Sequence, residues 1–224
     1  MDGVTIVALG AIAGIAVLAI LVVAAAAIRN RQRSWGVQAY ALGQGWTYAA
    51  SDPTANKICS AIPVFGLSAH ARDVVTGEHN SVPFMAFTLV PGREGHPGDA
   101  SRHVSGAGVI ALRTPGTIEP VILTPQGFVE RISAALGGQD ILTGRDEVDS
   151  AWRIRGDEPT VLQVLTDPLL DWLTDPETSG SYGFENGYVV TWSVERFAPG
   201  DIEHYLNKLE ALTELVPGQV WGLR

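Results

Sequence analysis

The chain has 224 residues, 46% of them hydrophobic, and a formal charge of −9. Setting aside Asp2 and three arginines (Arg29, Arg31 and Arg33) leaves 12 basic against 23 acidic residues, or −11 for residues 34–224. Phosphate backbones repel such a surface, which argues against nucleic acid as a partner, and a lone cysteine, Cys59, cannot build a disulfide framework.

Val4 to Ile28 is an uninterrupted apolar run of 25 residues with no charge and no proline, and Thr5 is its one polar side chain. As a helix it rises about 37 Å, enough to cross a hydrocarbon core of about 30 Å with some tilt. A cleaved secretory signal is the rival reading, and Ala24 to Ala27 imitate its cleavage site. Such a signal, however, has a basic start and a shorter core, whereas Met1-Asp2-Gly3 is acidic. The run is therefore expected to be a single-pass anchor in the lipid bilayer. Arg29, Arg31 and Arg33 follow it and no Lys or Arg precedes it, which puts the following domain on the cytoplasmic side of the cell membrane. Gly10 and Gly14 form a small-xxx-small pair through which two anchors could associate into a homo-oligomer. Residues 1–33 are thus read as anchor and basic flank, 34–66 as juxtamembrane helix and linker, and 67–224 as the soluble domain, with a possible subdomain break near 140–148.

Ser34 to Leu42 is expected to continue as a helix along the membrane interface, where Trp35 and Tyr40 suit the headgroup region, until Gly43-Gln44-Gly45 ends it. Ala49 to Ala61 reads as loop with a turn at Asp52-Pro53. Leu67–Val75 and Val82–Val90 read as a hairpin joined through Thr76–Ser81, and Pro91–His103 as a glycine- and proline-broken loop. Val109–Arg113 and Val121–Leu123 suit buried strands. Thr124-Pro125 is expected to start a helix whose apolar face is Phe128, Ile132 and Leu136, closed by Gly137-Gly138. Ser150 to Arg155 alternates like a half-buried strand, and Pro159 and Pro168 each open a short helix, the second with Asp167 as its cap. Asn186-Gly187 accepts the positive φ angles of a tight hairpin before the alternating Tyr188, Val190, Trp192 and Val194. A last helix, capped by Asp201, carries Ile202, Tyr205, Leu206, Leu209 and Leu212 on one stripe and stops at Val216-Pro217. Strands and helices without regular βαβ alternation predict an α+β fold: a mixed, largely antiparallel sheet with packed helices.

Chemistry-bearing motifs are few. No phosphate-binding glycine loop is present, so no nucleotide cofactor is expected, and Gly180-Ser181-Tyr182-Gly183 lacks the spacing of a nucleophile elbow. Glu94, His96, Asp99 and His103 fall within ten residues but match no established zinc spacing, so no metal is expected. Cys59 lacks a fixed cationic neighbour to activate it. The carboxylates Asp146, Glu147, Asp149, Asp157 and Glu158 suit turns and helix caps better than a converging acid–base pair.

The order of these features resembles an uncharacterised family of single-pass, membrane-anchored proteins of GC-rich bacteria. The resemblance is carried by the anchor with its arginines, Gly45-Trp46, the Gly77 hairpin, Asp149-Ser150-Ala151-Trp152-Arg153-Ile154, Leu165-Thr166-Asp167-Pro168 and Asn186-Gly187. It implies an architecture and assigns no catalytic residue. The expected function is a membrane-tethered protein-interaction or scaffold domain. The alternative is a membrane-bound hydrolase or ligand-binding enzyme whose site is assembled from non-adjacent acidic and His residues. The residues that carry the reading are those of the anchor and its flank: Gly10, Gly14, Arg29, Arg31, Arg33 and Trp35.

Overall fold

A computed structural model describes residues 18, 21–22, 24–25, 28, 31–61, 69–90, 106–126, 140–193 and 195–222. Most of the apolar run, including Gly10 and Gly14, lies outside these residues, as do Arg29, Pro91–His103 and nearly all of the helix expected after Thr124-Pro125. The described positions 18, 21, 22, 24, 25 and 28 are helical, and helix α1 occupies 31–43. Among the described residues no helix is long and apolar enough to cross a membrane.

The centre of the molecule is one eight-stranded sheet in the order β1-β2-β3-β4-β8-β7-β5-β6, antiparallel at every pairing. Its strands are β1 Thr47–Ala49, β2 His70–His79, β3 Val82–Val90, β4 Gly108–Arg113, β5 Val121–Pro125, β6 Trp152–Gly156, β7 Ser181–Glu185 and β8 Tyr188–Trp192. The α+β class and the largely antiparallel sheet are as expected. β5 and β6, on either side of 140–148, are hydrogen-bonded neighbours, so the sheet is continuous past that segment.

Several local expectations are corrected. Ala49–Ala61 is not loop: it ends β1 and then forms helix α2, Pro53–Ala61. Asp52 caps that helix, because its Oδ1 accepts from the Thr54 and Ala55 backbone N–H groups at 2.7 and 3.0 Å. The β2–β3 connection is shorter than expected: both strands run on to a two-residue turn, Asn80-Ser81, whose positive φ angles of 48° and 67° match the twist of the strands. β5 runs through Thr124 and Pro125 and Gln126 after them is helical, so the expected helix starts one residue later than Pro125 and its body lies outside the described residues. Ser150 and Ala151 end helix α3, Asp146–Ala151, before β6 begins at Trp152. Helix α4, Glu158–Val164, starts beside Pro159 with Asp157 as its cap. Helix α5, Asp167–Thr174, has Thr166 at its cap, so Asp167 is its first residue.

Two reasons account for the layers. On one face of the sheet, Phe84, Ile110, Leu112, Leu123, Phe184 and Val189 meet the apolar stripes of α3 to α5 and of the closing helix α6, Ile202–Leu215. Ile202, Leu206, Leu209 and Leu212 are buried there at the expected spacing. On the other face, Met85, Phe87, Leu89, Val109, Val190 and Trp192 form a second cluster with Ala55, Ile58 and Cys59 of α2.

Helix α1 is fastened to this body at its C-terminal end. Ala41 is fully buried, and its carbonyl accepts from the Trp46 N–H at 2.8 Å as the chain reverses through Gly45, φ 75°. Trp46 lies against Gly77 and meets Phe84 edge-on with ring centroids 4.8 Å apart. Gly43-Gln44-Gly45 therefore ends the helix as its glycines predict.

Candidate functional site

The site is built where α1, the second strand and the segment after β8 converge. In β2 the register against β3 shifts between Arg72 and Val75: Arg72 opposes Thr88 and Val75 opposes Ala86, so two residues face one. The extra residue is Asp73, held at φ 52°, a left-handed conformation that Asp tolerates better than most side chains. The bulge interrupts the strand and turns the Asp73 carboxylate toward β1 and α1. Its Oδ1 accepts from the Tyr48 hydroxyl at 2.8 Å, and Ser34 of α1 hydrogen-bonds the same phenol. Burial, then the bond to Asp73, pushes the Tyr48 hydroxyl above its ordinary pKa, so it stays a neutral donor.

The opposite wall comes from residues 195–199. After β8 the chain folds back onto the start of β4: Gly108 N–H donates to the Glu195 carbonyl at 2.9 Å, and Ser193 N–H donates to the Gly108 carbonyl at 3.1 Å. Only glycine permits this approach, because a Cβ at position 108 would stand 2.6 Å from the Phe197 backbone nitrogen. Phe197 then packs on Tyr205 of α6 with ring centroids 4.3 Å apart. Pro199 begins the turn into α6, where the Asp201 carboxylate accepts from Ala198 N–H at 3.0 Å.

Between these walls lies a cleft of about 780 Å³, lined by Arg33, Gly36 and Val37 of α1, Asp73 and Thr88 of the floor, Gly106, and residues 195–199. A narrower hollow continues inward past Val75, Ala86, Val109 and Ile202. Among the described residues the lining carries two cations, Arg33 and Arg196, and two carboxylates, Asp73 and Glu195, so these charges balance.

Of the residues expected to matter, Arg33 lines the cleft. Arg31 and Trp35 lie on α1 outside it, with the Arg31 guanidinium 5.3 Å from the Trp35 ring centre and Trp35 60% exposed. Asp73, Glu195 and Arg196 were not singled out from the sequence. An aspartate interrupting an apolar strand was the available signal for the first, and the Phe197-Ala198-Pro199-Gly200 breaker run for the others.

Elsewhere the polar groups do structural work. The Asp149 carboxylate accepts from Thr143 N–H and Oγ1 at 2.8 Å each and from Gly144 N–H at 3.1 Å. Partial desolvation works to raise its pKa, yet these bonds outweigh it and hold the group below the usual carboxylate range. Asp157 caps α4 through Thr160. His79 lies 3.3 Å from Glu210 of α6, whose carboxylate also accepts from Asn80 Nδ2 at 3.1 and 2.8 Å. No described histidine lines the cleft. Glu94, His96, Asp99 and His103 lie outside the described residues, and among those described no three His, Cys, Asp or Glu converge to hold a metal. Cys59 is fully buried on the sheet-facing side of α2, and burial pushes its thiol up to about 12, which leaves it protonated and inert.

No family model matches the sequence, and comparison with curated proteins likewise returns no match. Both results are consistent with an uncharacterised family. Among solved structures, the fold is similar to that of the mycobacterial trehalose monomycolate transport factor A, TtfA. The TM-score is 0.54 at 13% identity, with 87% of this chain and 97% of that one covered. At that identity the likeness establishes a shared fold. It extends over nearly the whole of TtfA.

Proposed function

We propose that this chain is a membrane-tethered accessory protein that acts by interaction in the transport of a lipid conjugate. The observation that carries the reading is the likeness to a transport factor over almost the full length of both chains. The 25-residue apolar run and its arginines support a tether, with the domain on the cytoplasmic side and the bilayer as its first partner. A protein partner, such as the transporter itself, is the second, and self-association through Gly10 and Gly14 is part of the same proposal.

The test is depletion of the protein in its own cells, followed by mass spectrometry of acylated sugars in the inner membrane and at the surface. The expected result is accumulation at the inner membrane and loss outside, together with recovery of an integral membrane protein when the tagged full-length chain is gently solubilised. An unchanged lipid distribution after depletion would sink the transport reading. Orientation is checked separately by reporter fusions at the C-terminus, and an active periplasmic reporter there would reverse the proposed topology.

A further inference from the structure

We infer that the cleft between α1 and residues 195–199 holds the uncharged, polyhydroxylated headgroup of a membrane glycolipid. This deepens the transport reading and rests on it for the source of the occupant. The first reason is charge. With Arg33 and Arg196 set against Asp73 and Glu195, an anionic headgroup meets two carboxylates and a cationic one meets two guanidinium groups. A neutral ligand that both donates and accepts is the one that uses all four, since a carboxylate only accepts and a guanidinium only donates. Neighbouring hydroxyls of a sugar ring are such a ligand, and Thr88 adds a further hydroxyl on the floor.

The second reason is shape. Gly36, Gly106 and Ala198 keep bulk out of the walls, and a Cβ at Gly36 would meet nothing within 4 Å. Val37, Phe197 and Pro199 offer apolar surface to the C–H faces of a ring, and the cleft's roughly 780 Å³ falls inside the range of about 300–1,000 Å³ typical of small-molecule sites. The third is position. Arg33 follows the last residue of the apolar run, Ile28, by five residues, which is about 7.5 Å along a helix. A cleft at that height lets the headgroup enter while its acyl chain stays in the bilayer.

The test uses the full-length chain in phosphatidylcholine nanodiscs prepared without sugar-based detergent. Discs contain a mono-acylated trehalose, phosphatidylglycerol, or neither, and backbone amide hydrogen exchange is followed by mass spectrometry. The acylated trehalose is expected to slow exchange at residues 72–74 and 195–198 about tenfold, and phosphatidylglycerol to leave them unchanged. Asp73→Asn keeps a residue tolerant of the bulge and a hydrogen-bond acceptor for Tyr48, so it should melt like wild type yet lose the protection. No protection in wild type, full protection in Asp73→Asn, or protection by phosphatidylglycerol instead would each overturn the inference. Free trehalose that protects as well as the acylated form would assign the cleft to a soluble sugar and overturn the membrane source. Protection that persists while depletion leaves lipid distribution unchanged would retire the transport reading alone, and the reverse pair of results would retire the headgroup site alone.

Discussion

Trp46 and Gly77 form the fastening between α1 and the sheet, and their energies can be worked from the geometry. A Cβ on Gly77 would stand 2.5 Å from Cδ1 and 2.9 Å from Cγ of Trp46, and 3.0 Å from Cε1 of Phe84. The indole cannot easily yield, being held by Phe84 on one side and by Tyr40, with ring centroids 6.0 Å apart, on another. Gly77→Ala therefore overpacks the contact at about 1–3 kcal/mol, partly offset by the ~0.5–1 kcal/mol that replacing a strand glycine gains. A net loss of about 1–2 kcal/mol lowers the melting temperature by roughly 2–8 °C in a domain of this size. Trp46→Ala alone costs about 2–3 kcal/mol, below the range for a fully buried ring because the indole is half-buried. In the Trp46→Ala background the two closest contacts are gone and Phe84, at 3.0 Å, can shift into the space the indole leaves, so adding Gly77→Ala should be neutral or stabilising by ~0.5 kcal/mol. The assay is thermal unfolding of the four full-length proteins by circular dichroism. An equal cost of Gly77→Ala in both backgrounds, within about 0.5 kcal/mol, would refute the steric account.

Three further outcomes are expected. Cys59 should resist maleimide at pH 8 in the folded protein and react fully in denaturant; stoichiometric labelling of the native state would contradict its burial and raised pKa. Asp149→Asn should cost about 1 kcal/mol near neutrality by weakening three hydrogen bonds, and because the native carboxylate titrates low, the cost should fade as pH falls below about 4. A cost that persists unchanged at low pH would remove the charge from the explanation. Glu185 is pushed above the usual carboxylate range by burial and then by Glu119, so its charged form weakens the fold above its native pKa. Glu185→Gln should thus raise the melting temperature at pH 7 and leave it unchanged where the wild-type side chain is already protonated; a lower melting temperature at pH 7 would reverse that assignment.

Local pattern revealed the elements whose signals are local. The Asn186-Gly187 turn with alternation after it became β7 and β8, and the 3.6-residue spacing from Ile202 to Leu212 became the buried stripe of α6. Helix α2 was hidden because its Ala, Asn, Lys and Cys residues carry little apolar periodicity, and its start is set by an Asp52 cap that also looks like a turn. Asn80-Ser81 lacks the glycine that marks such turns, so the hairpin looked looser than it is. The cleft was invisible for a different reason. Arg33, Asp73, Thr88 and Arg196 are spread over most of the chain, and a one-residue bulge and a glycine-permitted backbone approach bring them together. Asp73 in an apolar strand and the Phe197-Ala198-Pro199-Gly200 run mark where the two devices sit, but neither pattern says that they meet.

The central pairing of the sheet also sets a schedule for synthesis. β4 is hydrogen-bonded to β8, and its Arg113 opposes Tyr188, 75 residues later in the chain. At about 5–20 residues per second, the ribosome needs roughly 4–15 s to deliver that partner. Throughout that interval β1 to β4 can exist only as a half-sheet whose inner edge, lined by Val109, Ile110 and Leu112, is open to any other strand. The yield of folded protein in a cell therefore depends on what shields one edge of one strand for several seconds: a chaperone, or slow association at low expression.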